Sequence, residues 1–328
     1  MYNIYDIDLQ LFAEMNTHVT SSDGMTAEMK VYYSDYLIDL VEPELVHDQF
    51  GQKHPIPKNG GKTIEFRQWD TLPEMTTPIT EGVTPDGQSL SVSTIEATVQ
   101  QYGGYVTISD MLDLTAVDPV LIQATKAIAS QAGRSLDTIT REVLNAGTVV
   151  QYAEGQVTER NQLAYTDKDN NHNMTVGAVK KAVRFLESQD APKIDGHYVG
   201  IIHPYCKYDL MNDPEWKNPH EYVNTENIYN GEIGELYGVR FVQSNRAKKF
   251  EGAGANGVDV FSTLIIGDDA YGVTEIEGGG LEHIVKQHGS AGTADPLNQR
   301  ATCGWKATKT AELLVPQYIV RIETTATP

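Results

Sequence analysis

The chain has 328 residues, which is enough for a sizeable core and close to the length at which one chain divides into two subdomains. Hydrophobic residues make up 40% of the sequence and charged residues 21%, a balance that excludes wholesale disorder. The formal net charge is −20, and no stretch is rich enough in Lys and Arg to indicate a nucleic-acid-binding arm.

Cysteine usage and apolar run lengths indicate a protein of a reducing compartment. Cys206 and Cys303 are far apart and lack partners at metal-ligand spacing, which argues against a disulfide framework. The apolar runs are too short to span a bilayer. The first residues carry acids where a signal peptide needs positive charge. We therefore expect a cytosolic protein, or one released from a cytosol by lysis, without a membrane partner.

The N-terminal region predicts an arm followed by a helix. Residues 1–24 are weakly periodic, and we interpret them as an arm that becomes ordered by contact with something else. Residues 25–46 predict a helix, because apolar side chains recur on one stripe at Met29, Tyr33, Tyr36, Leu37 and Leu40. A loop rich in Pro and Gly follows over residues 53–61.

Residues 76–94, TTPITEGVTPDGQSLSVST, have almost nothing to bury. Their flanks, TIEFRQWDTL and TIEATVQQYGGYVTIS, have strand character and can pair as an antiparallel ribbon. A lone ribbon is only marginally stable in water. We therefore predict a hairpin that gains its order on another subunit's surface. Tyr102 and Tyr105 flank Gly103-Gly104 and suit an interface, although ordinary core or surface aromatics explain them equally well.

Residues 118–147 carry the strongest helix signal in the chain. Asp118 suits the N-cap, Pro119 the first helical position and Gly147 the C-terminal stop. Small and apolar residues recur at helical spacing at Leu121, Thr125, Ile128, Ala132, Leu136, Ile139 and Val143. A helix of this length, about 40 Å at 1.5 Å per residue, is expected to act as the rod of a flat subunit.

The remainder mixes helices and strands. Thr175 caps a predicted helix, TVGAVKKAVRFLESQ, and HYVGIIHPY predicts a buried strand that ends at a proline. Residues 148–173 predict a polar hairpin or loop, and residues 209–235 look irregular. GVRFVQSN, STLIIGDDAYGVTEI and the C-terminal tail predict further strands. The organisation is α+β, with two interleaved subdomains.

Only weak patterns point to catalysis or cofactor binding. Gly252, Gly254 and Gly257 match the phosphate-binding pattern G-x-G-x-x-G, but a strand follows them where that pattern needs a helix, so a loop is favoured. Asp268 and Asp269 follow a strand, yet no nearby His or Lys completes an acid–base set. We predict no catalytic residue and no cofactor.

Histidine spacing does not indicate a metal site either. His283 and His288 lie five residues apart on a predicted strand, and an odd spacing places them on opposite faces. His197 and His203 are six apart and could share a face, but ordinary strand histidines explain them better. We therefore predict no bound metal.

The order of elements resembles that of tailed-bacteriophage major capsid proteins with the Hong Kong 97-type fold. The opening DLQLFAE, the segment GEIGELYGVRFVQSN and the tail GSAGTADPLNQRATCGWKATKTAELLVPQYIVRIETT are similar to segments of that family. In the tail, Asn298 stands in a turn where the family often has glycine, and Asn tolerates a positive φ.

The resemblance implies a division of the chain into named parts. These would be the N-terminal arm (1–24), a helix and connector of the peripheral domain (25–59), the extended β-hairpin loop (60–106), the peripheral domain (107–174) with its spine helix (118–147), the axial domain (175–290) and C-terminal strands of the peripheral domain (291–328). The arm and loop would contact neighbouring subunits through Leu11, Phe12, Trp69, Met75, Ile79, Val83, Leu90 and Val92.

The resemblance also implies partners and a location. The chain would assemble with itself into hexamers and pentamers of an icosahedral virion shell in the bacterial cytoplasm, enclosing double-stranded DNA that it contacts weakly and without sequence preference. A separate scaffolding protein and a portal are expected, with a decoration protein left open. Because residues 63–125 contain no lysine, we predict no Lys–Asn cross-link through the loop. An encapsulin-like compartment that encloses a cargo enzyme stays open as an alternative, as does, more remotely, a hydrolase using Asp268 or Asp269.

Overall fold

The fold is given by a computed structural model, which describes residues 41, 45–55, 62–69, 72–79, 81–82, 84, 86–115, 120–153, 157–166, 171–216, 232–275, 281–290 and 295–328. The predicted arm and most of the predicted helix 25–46 lie outside these residues. The described part combines helices with four sheets, of which two are mixed and two antiparallel, and the α+β class is confirmed.

The helices of the described residues are α1 (Asp110–Thr115), α2 (Val120–Asn145), α3 (Val176–Ser188) and α4 (Pro204–Asn212). Helix α2 is the predicted spine helix, although Asp118 and Pro119 lie outside the described residues. Thr175 caps α3 as predicted, since its hydroxyl accepts a hydrogen bond from the Ala178 amide at 3.2 Å. Helix α4 was not predicted. It begins at Pro204, a proline that suits the first turn of a helix as well as the end of a strand.

In chain order the strands are β1 (Gln52–His54), β2 (Thr63–Trp69), β3 (Val92–Thr98), β4 (Gln100–Ser109), β5 (Val150–Tyr152), β6 (Tyr198–Ile202), β7 (Glu232–Leu236), β8 (Val239–Gln243), β9 (Lys249–Phe250), β10 (Val260–Ile266), β11 (Tyr271–Thr274), β12 (Leu281–Lys286), β13 (Arg300–Lys309), β14 (Ala311–Leu313) and β15 (Ile319–Thr324). In the described residues they form four sheets. A seven-stranded sheet has the order β5-β15-β10-β6-β8-β7, with β9 paired to β10, and the others are β12-β13-β4, β1-β11-β14 and β2-β3.

The seven-stranded sheet is buried on both faces. Helices α3 and α4 cover one face, where Val179, Leu186 and Cys206 pack with side chains of β8, β10 and β15. On the other face Leu264 and Ile266 of β10 pack with Leu144 at the end of α2 and with strand β11. Every residue of β6 and β10 is buried, which explains why neither strand alternates between apolar and polar residues: β6 is apolar throughout, and β10 is apolar apart from Ser262 and Thr263.

The sheet β12-β13-β4 is covered on one face only. Alternate residues of β13, including Cys303, Trp305 and Ala307, pack against Ile128 and Leu136 of α2. The opposite face carries β13 residues such as Thr302 and Lys306, and no described element covers it.

Strand pairing joins distant segments. Strand β13 pairs with β12 in one sheet. Strand β15, which begins only ten positions after β13 ends, lies instead next to β10 in the seven-stranded sheet. The division into peripheral and axial domains stays a prediction.

Candidate intersubunit surfaces

Strands β2 and β3 form the predicted hairpin, and its base is fixed to the body of the molecule. The strands pair from Thr63 opposite Thr98 to Trp69 opposite Val92. Ile64 and Phe66 are buried with Leu314, and the Phe66 ring meets the His54 ring edge-on at 4.8 Å. This apolar contact orients the hairpin relative to strands β1 and β11.

Beyond these strands the segment between Trp69 and Val92 has no regular structure in its described residues, and its side chains are exposed to solvent. We call the described residues from 72 to 92 the extended segment. Its two sides are joined by a hydrogen bond from the Gln88 amide to the Pro73 carbonyl at 3.3 Å. The exposed fractions are 63% for Met75, 74% for Ile79 and 59% for Leu90.

Half of the eight predicted contact residues can be placed. Met75, Ile79, Leu90 and Val92 all lie in the extended segment and are exposed. For Trp69 only the backbone is described, at the end of β2. The remaining three, Leu11, Phe12 and Val83, lie outside the described residues.

A trough runs over the uncovered face of β12-β13-β4. In the register of the sheet, Gly304 stands opposite Tyr105 and Gly103 stands opposite Lys306, so no side chain fills the middle of the face. Tyr105 is 75% exposed, and Ile284 is exposed beside it. The trough is lined by Gly103, Gly104, Tyr105, Thr107, Ile284, Lys286, Ser290, Asp295, Arg300, Thr302, Gly304 and Trp305.

A second apolar surface lies at the far end of β4, where α1 begins. The Asp110 amide donates to the Gln299 carbonyl at 3.0 Å, which brings the turn 295–299 beside α1. Asn298 in that turn has a φ of 53°, in agreement with its expected tolerance of positive φ. We name the exposed side chains of this region the corner patch: Met111, Leu112, Leu114 and Leu297. The patch was not predicted from the sequence, although the segment DMLDL, whose apolar residues fit no core pattern, could have indicated it.

A buried polar anchor joins residues 45–54 to the body. The Lys309 ammonium of β13 pairs with the Asp48 carboxylate, and the Thr140 hydroxyl of α2 donates to the same carboxylate at 2.5 Å. Next to it, the His47 amide and ring Nδ1 lie 2.8 and 2.9 Å from the two oxygens of Asp137. These five residues are all buried. Because each carboxylate has partners, their burial is compensated.

Tyr271 connects the anchor to strand β11. Its hydroxyl donates to the His47 carbonyl at 2.5 Å. Burial, with the nearby carboxylates of Asp48 and Asp137, raises the pKa of Tyr271 well above its ordinary value, so the hydroxyl keeps its proton and remains a donor. The chain leading toward the N-terminal region is therefore held by charged and neutral hydrogen bonds together.

The described residues do not assemble a catalytic set. Residues 251–257 form a turn between β9 and β10, and no helix follows that could hold a phosphate. Asp268 and Asp269 occupy the turn between β10 and β11, and burial and the charge of Asp268 raise the pKa of Asp269. No cluster of three metal-ligating side chains is found in the described part of the chain.

Neither of the two buried cysteines is activated as a nucleophile. Burial raises the pKa of Cys206 to about 12. His283 Nε2 lies 3.2 Å from Cys303 Sγ, but burial raises the pKa of Cys303 and lowers that of His283, so neither charged form is favoured. A reactive cysteine needs a lowered pKa and access to solvent. These cysteines belong to the core.

None of the helices in the described part of the chain is long and apolar enough to cross a membrane. Most of the large apolar side chains that are exposed among the described residues lie in the extended segment, the trough or the corner patch.

Comparison with known proteins identifies the family. Residues 92–307, well over half of the chain, match the sequence model of the phage capsid protein family. No curated protein sequence matches the chain. Among solved structures, the capsid of Ralstonia phage GP4 is similar over 82% of this chain and 85% of that chain, with a TM-score of 0.64 and 14% identity.

Two cyanophage capsids are similar to about the same degree. For cyanophage P-SCSP1u the match covers 86% of this chain and 89% of that chain, with a TM-score of 0.63 and 13% identity. For cyanophage Pam1 it covers 82% and 86%, with a TM-score of 0.61 and 15% identity. At identities this low, the structural comparisons establish only a shared fold. The family match, in contrast, is a match of the sequence itself. The chain thus belongs to the phage capsid protein family, and it is a major capsid protein of Hong Kong 97-type fold, a structural subunit of the virion capsid.

Proposed function

We propose that the chain forms hexameric and pentameric rings of an icosahedral shell around double-stranded DNA, and that the extended segment holds each ring together by lying on the neighbouring copy. The observation that carries the proposal is the exposure of Met75, Ile79 and Leu90 in a segment that no other described residue covers. Burying such side chains stabilises an interface by roughly 25 cal/mol per Å² of apolar area. A base fixed by Phe66 reduces the ordering cost of this contact.

The trough is the proposed binding site for the extended segment of the neighbouring copy. It is open, it has exposed apolar side chains at Tyr105 and Ile284, and Gly103, which is exposed, leaves its backbone accessible to an incoming chain. Since the segment and the trough are different surfaces, their contact is heterologous. A heterologous contact repeated by rotation closes a ring.

The proposal is tested by joining the two surfaces covalently. A chain with both Ile79→Cys and Ile284→Cys, treated with a short bismaleimide, should give a ladder of covalent oligomers up to complete rings. The native cysteines do not interfere, because both are buried. Each single variant should give no ladder, since two copies of one surface do not meet in a heterologous contact.

Substitution provides a second arm of the test. Met75→Gln with Ile79→Gln should abolish rings while the melting temperature stays unchanged, because both side chains are already exposed in the single chain. Rings of normal stability from this variant, together with no ladder from the double-cysteine chain, would refute the proposed role of the segment.

We further propose that assembly is non-covalent and that the acidic chain contacts DNA only weakly. Residues 63–125 contain no lysine, and the formal charge of −20 disfavours tight binding to phosphates. Particles boiled in detergent should therefore release a single band at 36.2 kDa. A band at a multiple of this mass would contradict the prediction. The family match, which is to phage capsid proteins, lends no support to the encapsulin-like alternative.

A further inference from the structure

The extended segment carries acidic side chains and no basic ones. Glu74, Glu81 and Asp86 are all exposed, and no Lys or Arg lies between positions 72 and 92. None of these three carboxylates has an ion-pair partner among the residues that the structure describes. Since like charges repel each other, the segment gains no electrostatic stabilisation from itself. A surface of positive charge would attract it.

The trough presents positive charge, in contrast to the chain as a whole. Lys286 and Arg300 line it, and the Arg300 side chain is 60% exposed. Asp295, the one acid among the described lining residues, is buried and accepts a hydrogen bond from the Arg300 amide at 2.8 Å, so its charge is partly compensated. Lys286 is exposed and has no ion-pair partner in the described part of the chain. The formal net charge of the chain is −20, which makes this local positive charge informative.

Three side chains of β12 form a row on the uncovered face of the sheet. Glu282, Ile284 and Lys286 are all exposed and alternate with residues of the strand that pack toward α2. Alternate residues of a strand lie about 7 Å apart. The Glu282 carboxylate pairs with the Lys306 ammonium of β13 at 3.0 Å, so this end of the row has no net charge. The row therefore has a neutral end, an apolar centre and a positive end.

The extended segment contains a matching pair of side chains. Ile79 and Glu81 are both exposed and lie two positions apart, a separation of at most about 7 Å along the chain. Ile284 and Lys286 have the same spacing on β12. When the two isoleucines meet, Glu81 can face Lys286 in one orientation of the segment. In the opposite orientation Glu81 would face the carboxylate of Glu282.

We infer that Lys286 of one copy pairs with Glu81 of the next, and that this ion pair sets the direction in which the extended segment lies in the trough. The inference rests on the proposed function, in which the trough binds the segment. The segment then runs parallel to β12, from the Glu282 end toward the Lys286 end. Complementary charges speed association and disfavour wrong arrangements, because like charges that face each other oppose binding. Lys286 is therefore a specificity-determining residue of ring formation.

Exposed basic residues on helix α3 lack the features that distinguish the trough. An exposed lysine by itself indicates no partner, since most lysines face water. Lys181 and Arg184 are exposed on α3, but this helix has no exposed large apolar side chain beside them. Only a surface that combines an apolar centre with a cation matches the order of Ile79 and Glu81 in the segment. Lys181 therefore serves as a control position.

Charge reversal tests the ion pair. Lys286→Glu or Glu81→Lys alone should raise the concentration at which rings form by about tenfold, because each places like charges opposite each other. The chain with both substitutions restores opposite charges and should recover most of the loss. Lys181→Glu, the same change at an exposed position of α3, is the matched control and should form rings normally. Analytical ultracentrifugation measures the ring fraction, and the defect of each single variant should shrink at high salt.

Cross-linking of the unmodified chain tests the direction. A carbodiimide joins a carboxylate to an adjacent amine as an amide, without a spacer, and leaves as a urea. Rings treated in this way should yield a peptide in which Glu81 is bonded to Lys286, identified by mass spectrometry. A bond from Glu81 to Lys306 instead would show the opposite direction and overturn the inference.

The charge-reversal result can overturn the inference independently. A double variant that assembles no better than the single variants would do so, as would single variants that form rings at the unmodified concentration. If the Ile79–Ile284 ladder forms in these cases, only the inference is lost. If that ladder fails, the proposed function itself fails, so the two results are distinguishable.

Discussion

The extended segment and the buried polar anchor both place side chains in an environment that disfavours them, but the two environments are opposite. The segment exposes Met75, Ile79 and Leu90, which water disfavours, whereas the anchor buries Asp48, Asp137 and Lys309, which an apolar interior disfavours. In the anchor each charged group already has partners from its own chain. In the segment these side chains stay exposed, and no described residue of the same chain covers them. Stability should therefore depend on the anchor, and assembly on the segment.

The largest expected effect is on the anchor itself. Lys309→Met removes the cation that pairs with Asp48 and leaves a buried carboxylate with only the Thr140 hydroxyl as a described partner. Breaking a buried pair in this way costs about 3–5 kcal/mol of unfolding free energy. Urea unfolding of the unassembled chain should show the loss as a lower midpoint.

Two further variants sharpen this result. Lys306→Met removes an exposed lysine of the same strand, paired with Glu282 at 3.0 Å, and should cost less than about 1 kcal/mol. Asp48→Leu combined with Lys309→Met removes both charges and should recover much of the lost stability. If Lys309→Met were as mild as Lys306→Met, the ion pair would not be a stabilising feature of the anchor.

A leucine of the core and a leucine of the extended segment offer a direct comparison. Leu136 of α2 is completely buried and packs against β13, whereas Leu90 of the extended segment is 59% exposed. Leu136→Ala should cost about 2–5 kcal/mol, because it removes buried methyl groups and leaves a cavity. Leu90→Ala should change the unfolding free energy by less than about 0.5 kcal/mol. Equal losses at the two positions would mean that the segment is buried within its own chain.

Alkaline pH should lower the free energy of unfolding through buried groups of the core, whereas the extended segment should make no contribution to this change. Burial raises the pKa of Cys206 from 9.0 to about 12, so the unfolded chain releases this proton at a lower pH than the folded chain. The stabilisation is complete below pH 9 and is lost as the pH rises toward 12, by at most about 1.4 kcal/mol for each pH unit.

The slope of stability against pH is measured by denaturant unfolding between pH 8 and about 11. Cys206→Ala should make this slope shallower, and the remaining part is assigned to groups such as Tyr271, whose pKa is also raised. An unchanged slope would show that Cys206 is not the group responsible.

A smaller loss of stability than at Lys309 or Leu136 is expected at the link between the anchor and β11. Tyr271→Phe removes the hydroxyl that donates to the His47 carbonyl and leaves the ring in place. The loss should be about 1 kcal/mol, the usual contribution of one buried hydrogen bond. Thermal melting of the unassembled chain measures it, and ring formation should not change.

Much of the architecture was accessible from local sequence patterns. The helix 118–147 was predicted from the spacing of Ile128, Ala132 and Leu136, and the hairpin from alternation around Phe66 and a polar segment. The cap at Thr175 was read correctly from a single residue. Helix α4 was not predicted, because its hydrophobic periodicity is weak and Pro204 suits two interpretations.

The sequence by itself determined the extended segment, since a run so poor in apolar residues cannot build a core in any fold, and it determined the spine helix through its spacing. Only the tertiary structure decided that Asp48, Asp137 and Lys309 meet in the interior, because the hydrogen bonds of the anchor join residues 90 or more positions apart, and no local pattern records such a contact. The same holds for the corner patch. Leucines on a short helix are expected to be buried, and only the packing of the whole chain shows that nothing in the described part covers them.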